Sequence, residues 1–432
     1  MQIKYLEEMK KGWFAGDFSP TALKTDFGEI AIKRYGRYHI ESAYCHPNAT
    51  VMYLLISGSI ALNGKVLCQP YSMAVFTPGE QVYFSALSDC AVMLFVSGSK
   101  EFTRGKGIIL DDLCQAYSCF NEFGENRELS INPKDLTFVV QGGISELTPI
   151  CLESVRRFFP QSTIILSTEY ERPIQNLDYD ILVQNEDVGS FTFKRYDTPN
   201  SPQDNINRQI ISTINGLKQV NTKYTMKIRT DMILTGRRFA SYLHDYPNRI
   251  DQLRLFNERV IVSEYWTRKR SQIFHKIDGY QSVPRLFQVS DCFFFGLTED
   301  LRTYFYNTQF LTEDEVNNTS VKNDILRTFN KYDRNHRYTG EQHLALEALA
   351  RKFPDIKKKY QDWSDWSEEN QKLSDMFIGN NFIILDLPHH GITMPKHEMR
   401  ITDQNTGRGR EHGFFTQQMF ERYYYNVIMN NA

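Results

Sequence analysis

A chain of 432 residues with 41% hydrophobic and 13% aromatic content is long enough for two or three domains and apolar enough to give each a core. Its 50 lysines and arginines against 52 aspartates and glutamates leave a formal charge of -2, which lacks the basic footprint of a general nucleic-acid binder. The 7 cysteines (Cys45, Cys68, Cys90, Cys114, Cys119, Cys151, Cys292) form no C-x-x-C pair or zinc-like spacing, so reduced thiols are expected. The start "MQIKYLEEMKKGWF" has no apolar signal core and no run approaches bilayer length, so a cytoplasmic location is expected, with room for contact at the inner face of the inner membrane.

From Glu29 to Ser97 the chain is a succession of β-prone runs, "TVMYLLISG", "SIALNGKVL", "SMAVFTPGEQVYF" and "CAVMLFVSG", separated by Ser57-Gly58, Asn63-Gly64 and Pro78-Gly79. Asn-Gly between apolar runs predicts a two-residue hairpin, because both central residues of a type I′ turn need positive φ. Residues 1–100 are therefore expected to form an all-β domain. The runs resemble a cupin, a small jelly-roll barrel, with "YCHPNATVMYLLISGSIALNG" and "FTPGEQVYF" in the places of its two motifs. The cupin metal ligands fall on His46, Asn48, Met52 and Tyr83. One imidazole does not make a metal site, so the resemblance implies a metal-free barrel serving homodimerisation or carbohydrate contact.

Residues 101–134 read as a polar linker with one short helix, and residues 135–432 as a second domain in which strands alternate with helices. "LTFVVQGGI" is a buried strand, and Thr148 and Pro149 open a helix with Cys151, Val155, Phe158 and Phe159 on one face. "STIILSTEYE" and "YDILVQNEDVG" give two more strands. The helix "NINRQIISTINGLKQV" then leads into "YTMKIRTDMIL", where Lys227, Arg229 and Asp231 share one face of a strand. Repeated β-α-β calls for a mainly parallel sheet with ligands beyond the carboxyl ends of its strands. Those ends are Gln141-Gly142-Gly143, Thr168-Glu169 and Thr230-Asp231. No G-x-G-x-x-G follows the first strand, which argues against NAD or another dinucleotide; flavin and haem are likewise not expected.

"FVVQGGI", "TIILSTEYE", "NINRQIISTINGLKQVNTKYTMKIRTDMIL" and "SDCFFFG", in this order, resemble the WavE lipopolysaccharide-synthesis family from about residue 136 to the C-terminus. The resemblance implies a GT-A-like, Rossmann-type α/β domain that transfers a sugar from a nucleotide-diphospho-sugar. Asp231 stands where a GT-A enzyme places the last aspartate of its metal-binding D-x-D, while Arg229 replaces the first. Either a helper ligand completes a Mg²⁺ or Mn²⁺ site, or Arg229 and Lys227 neutralise the diphosphate directly. GT-A enzymes often close the site with a late histidine or basic residue, which draws attention to His389, His390, Lys396 and His397, with His389 the chosen second metal ligand. On a strand, only one of His389 and His390 would face the ligand.

Inverting transfer needs a general base, and Asp291 in "VSDCFFFG" or Glu341 in "TGEQHLALEALARKF" can be placed in that role. A turn cap and a helix-dipole glutamate are the respective structural alternatives. Gln141, Gly142, Gly143, Thr168, Glu169, Arg208, Lys227 and Arg229 are the expected donor-binding residues. Trp363 and Trp366 would share a helix face, and "FFTQQMFERYYYNVIM" is an amphipathic segment for core or membrane. The expected function is a bacterial transferase acting on a growing lipopolysaccharide or capsule glycan, with an oligosaccharide or lipid-linked acceptor. A noncatalytic glycan or nucleotide-sugar binder, and a bifunctional enzyme with a sugar-nucleotide isomerase or epimerase barrel, remain open beside it.

Overall fold

The computed structural model describes residues 4–37, 39–98, 103–104, 109–123, 128–170, 172, 174–192, 203–275, 279–312, 338–361, 365–394 and 413–431. The chain divides into two compact units, Met1–Phe123 with Thr393–Glu411 and Gly124–Ile392 with His412–Ala432. The stretch expected to be a linker thus splits between them. Its helix α1 (Leu110–Ala116) packs on the β unit, where the Ala116 carbonyl accepts from Ser85 Oγ at 3.1 Å and the Asn63 carbonyl from Gln115 Nε2 at 3.2 Å.

The first unit is two antiparallel five-stranded sheets, not a single closed barrel. One holds β1 (Trp13–Ala15), β2 (Gly28–Tyr35), β4 (Ala49–Ser57), β7 (Met73–Phe76) and β9 (Cys90–Gly98), ordered β1-β2-β9-β4-β7. The other holds β3 (Ile40–Cys45), β5 (Ile60–Leu62), β6 (Lys65–Leu67), β8 (Gln81–Ala86) and β10 (Thr103–Arg104), ordered β10-β3-β8-β5-β6. Strict alternation along β4 and β9 turns Val51, Tyr53, Leu55, Val92, Leu94 and Val96 inward, against Ile60, Val82 and Phe84 of the facing sheet. Asn63 and Gly64 have φ of 50° and 75° and join β5 to β6 with Leu62 opposite Lys65, the hairpin their side chains call for. Of the residues aligned with cupin ligands, His46 has a buried Nδ1 and its ring lies 5.6 Å from that of Tyr44, while Asn48 is exposed. Met52 and Tyr83 alternate with inward-facing neighbours, whereas Tyr35 donates to Glu41 at 2.6 Å and the Tyr44 and Tyr53 hydroxyls meet at 2.5 Å.

In the second unit, β11 (Leu136–Gln141) is buried along its whole length, which requires cover on both faces. Helix α2 (Thr148–Phe158) covers one, its following Phe159 ring 5.3 Å from Phe138. Helix α3 (Ile206–Lys218) covers the other, with the Ser212 carbonyl accepting from Ser167 Oγ at 2.7 Å. The seven-stranded sheet adds β12 (Thr163–Glu169), β13 (Ile181–Asn185), β16 (Tyr224–Arg229), β18 (Val260–Ser263), β21 (Phe293–Leu297) and β22 (Phe382–Leu385). Its order is β13-β12-β11-β16-β21-β18-β22. Strands β11, β12, β13 and β16 pair in parallel, β18 pairs in parallel with β22, and β21 alone runs against its neighbours. The sheet is therefore mixed, with six carboxyl ends and the start of β21 on one rim. Short pairs β14 (Phe191–Thr192) with β15 (Gln203–Asp204) and β19 (Arg268–His275) with β20 (Gly279–Gln288) lie outside it, as does β17 (Ile233–Leu234). Helices α4 (Thr298–Phe305), α5 (Gly340–Lys352), α6 (Glu368–Asn381), α7 (Leu387–His390) and α8 (Gln417–Tyr423) also belong to the unit, with a further single turn at Ile356–Lys359. In α8 and the turn after it Phe420, Tyr424 and Ile428 are buried at helical spacing and both aromatic rings pack on Tyr246, so the terminal segment is core packing. Among the described residues no helix is long and apolar enough to cross a membrane.

Candidate functional site

From β11 the chain steps to β12 and β13 on one side, then returns to β16 on the other. The sheet therefore opens a crevice between the carboxyl ends of β11 and β16, where α/β sheets bind their ligands. Gly142, at φ +126°, turns the chain there, and a Cβ would stand 3.1 Å from Thr230 Oγ1. Gly143 has nothing within 4 Å of where its Cβ would be, so its backbone is open to a ligand. The two strand ends are stitched together: the Thr230 amide donates to the Gln141 carbonyl at 3.0 Å and its hydroxyl to the Gly143 carbonyl at 2.7 Å. Gln141 is buried, and its Oε1 accepts from Ser212 Oγ at 2.8 Å. It anchors α3 and does not reach into the crevice.

Lys227, Arg229 and Asp231 do share a side of the sheet, but it is not a wetted face. Lys227 is opposite Val139 and Phe294 on the face that α3 and α4 cover, and its side chain is fully buried. Its ammonium donates to the Asp291 carbonyl and lies 5.7 Å from the Phe294 ring centre. Burial first, and Arg229 next among the effects pulling downward, hold its pKa down to about 8 against the pull of Asp291. Two residues nearer the rim, Arg229 keeps 28% of its side chain exposed. It grips Asp231 with both prongs, Nε to Oδ1 at 2.9 Å and Nη2 to Oδ2 at 2.8 Å. Burial alone would weaken that guanidinium's hold on its proton. The carboxylates of Asp231 and then Asp291 more than reverse this, and the pKa is raised. A guanidinium has five N–H groups; two are used here, and the other three have no acceptor among the described residues.

Asp291 precedes β21, and the register pairing Ile228 with Phe293 carries Asp291 to the level of Thr230. Its side chain is partly exposed, and its carbonyl, besides Lys227, is 3.5 Å from Gln209 Nε2 at the start of α3. Crevice, guanidinium and two carboxylates are thus brought together. Cys151 and Cys292 lie beneath them, and burial pushes the Cys292 thiol up to about 12, so both are inert lining.

The donor residues expected beyond β12 form a separate cluster. Thr168 is buried, and its hydroxyl has no partner among the described residues. Glu169 accepts from Arg172 at 2.6 and 3.0 Å. Arg208 grips Asp187 with two bonds of 2.6 Å and gives a third, of 2.7 Å, to Asn205. Asp187, which sequence reasoning passed over, carries a turn signal in "NEDVG": its Oδ1 also accepts from the Gly189 amide at 2.8 Å.

Adjacent His389 and His390 sit on one helical turn, not on a strand. Asp386 caps α7 by accepting from the His389 amide, Pro388 lies in its first turn, and Gly391 ends it at φ +70°. His389 Nδ1 meets Asp386 Oδ1 at 2.5 Å. His390 is buried. Its Nδ1 accepts from the Ile392 amide at 3.0 Å, so Nε2 carries the proton that faces Ser263 Oγ at 3.2 Å. Burial, with Arg238 and His389 nearby, holds its pKa down to about 3. Glu341 is the second residue of α5, partly buried, with Gly340 packed on Ile206 of α3. Lys396, His397 and Trp363 lie outside the described residues.

A divalent cation needs several hard oxygens or imidazoles converging on one point. Among the described residues no three His, Cys, Asp or Glu side chains do so. Asp231 gives both oxygens to Arg229 and His389 faces Asp386, so the pair does not fit a resident metal ion in this arrangement. A second feature missed in the sequence is an aromatic group on the same rim, built by Tyr265, Trp266 and Phe414 around Arg268.

A mixed sheet with buried strands, helices on both faces and charges gathered at its switch point defines an α/β protein. The chain belongs to the family described as WavE lipopolysaccharide synthesis, which it matches over residues 136–430, and its role is in lipopolysaccharide synthesis. No curated protein matches it. Solved structures similar to the N-terminal region include a double-stranded β-helix protein from Klebsiella pneumoniae subsp. pneumoniae, at 16% identity over 20% of this chain and 75% of that one, TM-score 0.18. A cupin protein from Bacteroides fragilis is similar at 17% identity over 20% and 80%, TM-score 0.16.

Proposed function

We propose that the unit containing β11 to β22 is a GT-A-like glycosyltransferase that moves a sugar from a nucleotide-diphospho-sugar to a lipopolysaccharide or capsule glycan. The observation that carries this reading is the meeting of Arg229, Asp231 and Asp291 where the sheet order reverses between β11 and β16. The diphosphate would lie against the open backbone of Gly143 and the three unused N–H groups of Arg229, with the nucleoside toward Thr168 and Glu169. Fixed cationic donors favour the transition state because negative charge grows on the departing diphosphate. Asp231 would aim the guanidinium. The acceptor hydroxyl would form its bond to the anomeric carbon as the carbon–oxygen bond to the diphosphate breaks, and Asp291 would take the hydroxyl proton. Lys227 would act by position, holding the Asp291 main chain.

A ligand that binds only the native state raises the melting temperature. Purified protein should be stabilised by one of the UDP-, GDP- or CMP-sugars, and release of that sugar to an acceptor or to water should vanish in Asp291→Asn. If none shifts the melting temperature, the donor reading fails. Parallel assays with Mn²⁺ and with chelator test metal assistance separately. The noncatalytic binder has one observation in its favour, the complete engagement of Asp231 by Arg229. It predicts nucleotide-sugar binding without turnover.

A further inference from the structure

We infer that Tyr265 and Trp266 form a stacking platform for a pyranose ring of the acceptor glycan, beside Asp291. This rests on the transferase reading. The platform begins two residues past β18, which pairs with β21 through Ile261 and Phe295, and Asp291 lies just before β21. The turn is tied to that neighbourhood. Thr267 Oγ1 donates to the Ser263 carbonyl at 2.7 Å and accepts from the Ser290 amide at 3.0 Å, one residue before Asp291.

Trp266 has φ +71°, a conformation that a bulky residue adopts only when its surroundings impose it, and that glycine adopts freely. What imposes it is a set of rings and one cation. The Arg268 guanidinium carbon lies 4.5 Å from the indole centre and 5.1 Å from that of Phe414. Tyr265 meets Trp266 and Phe414 edge-on at 5.2 and 5.5 Å. Arg268 and Phe414 are buried, whereas Tyr265 and Trp266 keep part of their surfaces in solvent. The buried members brace the two that are only partly buried. An amphipathic ring held rigidly suits a sugar, whose apolar C–H face packs on the π surface while its hydroxyls stay wet. A ring resting there would present its hydroxyls to the neighbouring Asp291.

The test is calorimetric titration of the full chain with delipidated core oligosaccharide, on wild type, Trp266→Phe, Trp266→Ala and Trp266→Gly. Glycine accepts the φ of this position, so Trp266→Gly keeps the turn if Trp266→Ala does not fold. Binding that weakens about ten-fold or more in the Ala and Gly variants and is largely kept in Trp266→Phe supports the platform. Equal binding in all four, or no binding to wild type, overturns it. Binding of UDP and GDP, read by thermal shift on the same proteins, reports the donor crevice alone, so a failure there is distinguishable from a failure of the platform.

Discussion

Two arginine forks stand on the same rim and differ in little but their surroundings. Arg229 and Asp231 close the switch-point crevice with side chains 28% and 11% exposed; Arg208 and Asp187 close the flank beyond β13 at 27% and 51%. Both are two-bond guanidinium–carboxylate pairs, of 2.8 and 2.9 Å in the first and 2.6 Å in the second. Geometry alone would rank the flank pair as the stronger. The carboxylates reverse the ranking: the two guanidiniums are about equally exposed, but Asp231 is far more buried than Asp187, and an ion pair gains less the more water reaches it. The first fork should therefore matter more to stability, and under the proposed transferase reading to turnover as well, while the second mainly shapes a loop.

The sharpest way to break this contrast is at Asp231. Asp231→Ala strands Arg229 beneath the rim. We expect a loss on the order of 3 kcal/mol in urea unfolding and a fall in transfer rate on the order of 10²-fold through a misaimed guanidinium. Wild-type stability in Asp231→Ala would place the crevice fork in the same class as the flank fork. The next largest effect lies one step deeper, at Lys227. Its folded pKa of about 8 is below the unfolded value of roughly 10.4, so the unfolded chain holds more protons between those values. Stability should then rise by on the order of 2–3 kcal/mol from pH 8 to 10.4, the burial penalty being fully present below pH 8. Lys227→Met should lack that slope. A matching slope in both proteins would assign it to other groups.

The hydrophobic periodicities made the order of strands and helices legible, and Asn63-Gly64 announced its hairpin because only positive φ satisfies that turn. Leu136 to Gln141 and Tyr224 to Arg229 read as strands of a mainly parallel sheet, but only the sheet itself shows that they are neighbours; the rule for ligands at strand ends singled out both of their carboxyl ends. The depth of Lys227 was not legible: alternation puts it on the Arg229 side, but covering that side with α3 and α4 is a tertiary event. "DLPHHG" did contain its answer, since an aspartate cap, an early proline and a glycine stop spell one helical turn and not a strand. The pairing of Asp187, whose turn signal was local, and the Tyr265–Trp266 turn were not legible for another reason. Each is defined by partners far along the chain, Arg208 and Phe414, and no local spacing encodes such a meeting.

The smallest expected effect is at the flank, and its smallness is the point. The Arg208 fork first, then the Gly189 amide, hold the Asp187 pKa down to about 2. A carboxylate whose folded value lies below the unfolded one, roughly 3.9, contributes stability that is complete above pH 4 and lost as pH falls toward 2. Solvent screening at a half-exposed side chain keeps that contribution under about 1 kcal/mol. Asp187→Asn should therefore unfold within that margin of wild type at pH 7, and the difference should shrink further as salt is raised. If the nucleoside end of the donor lies over Glu169, releasing Arg208 from Asp187 should change donor KM modestly and leave kcat in place, because the groups at Arg229 and Asp291 are untouched. A fall in kcat as deep as that of Asp231→Ala would mean that the two forks work as one device and that the crevice extends across β12.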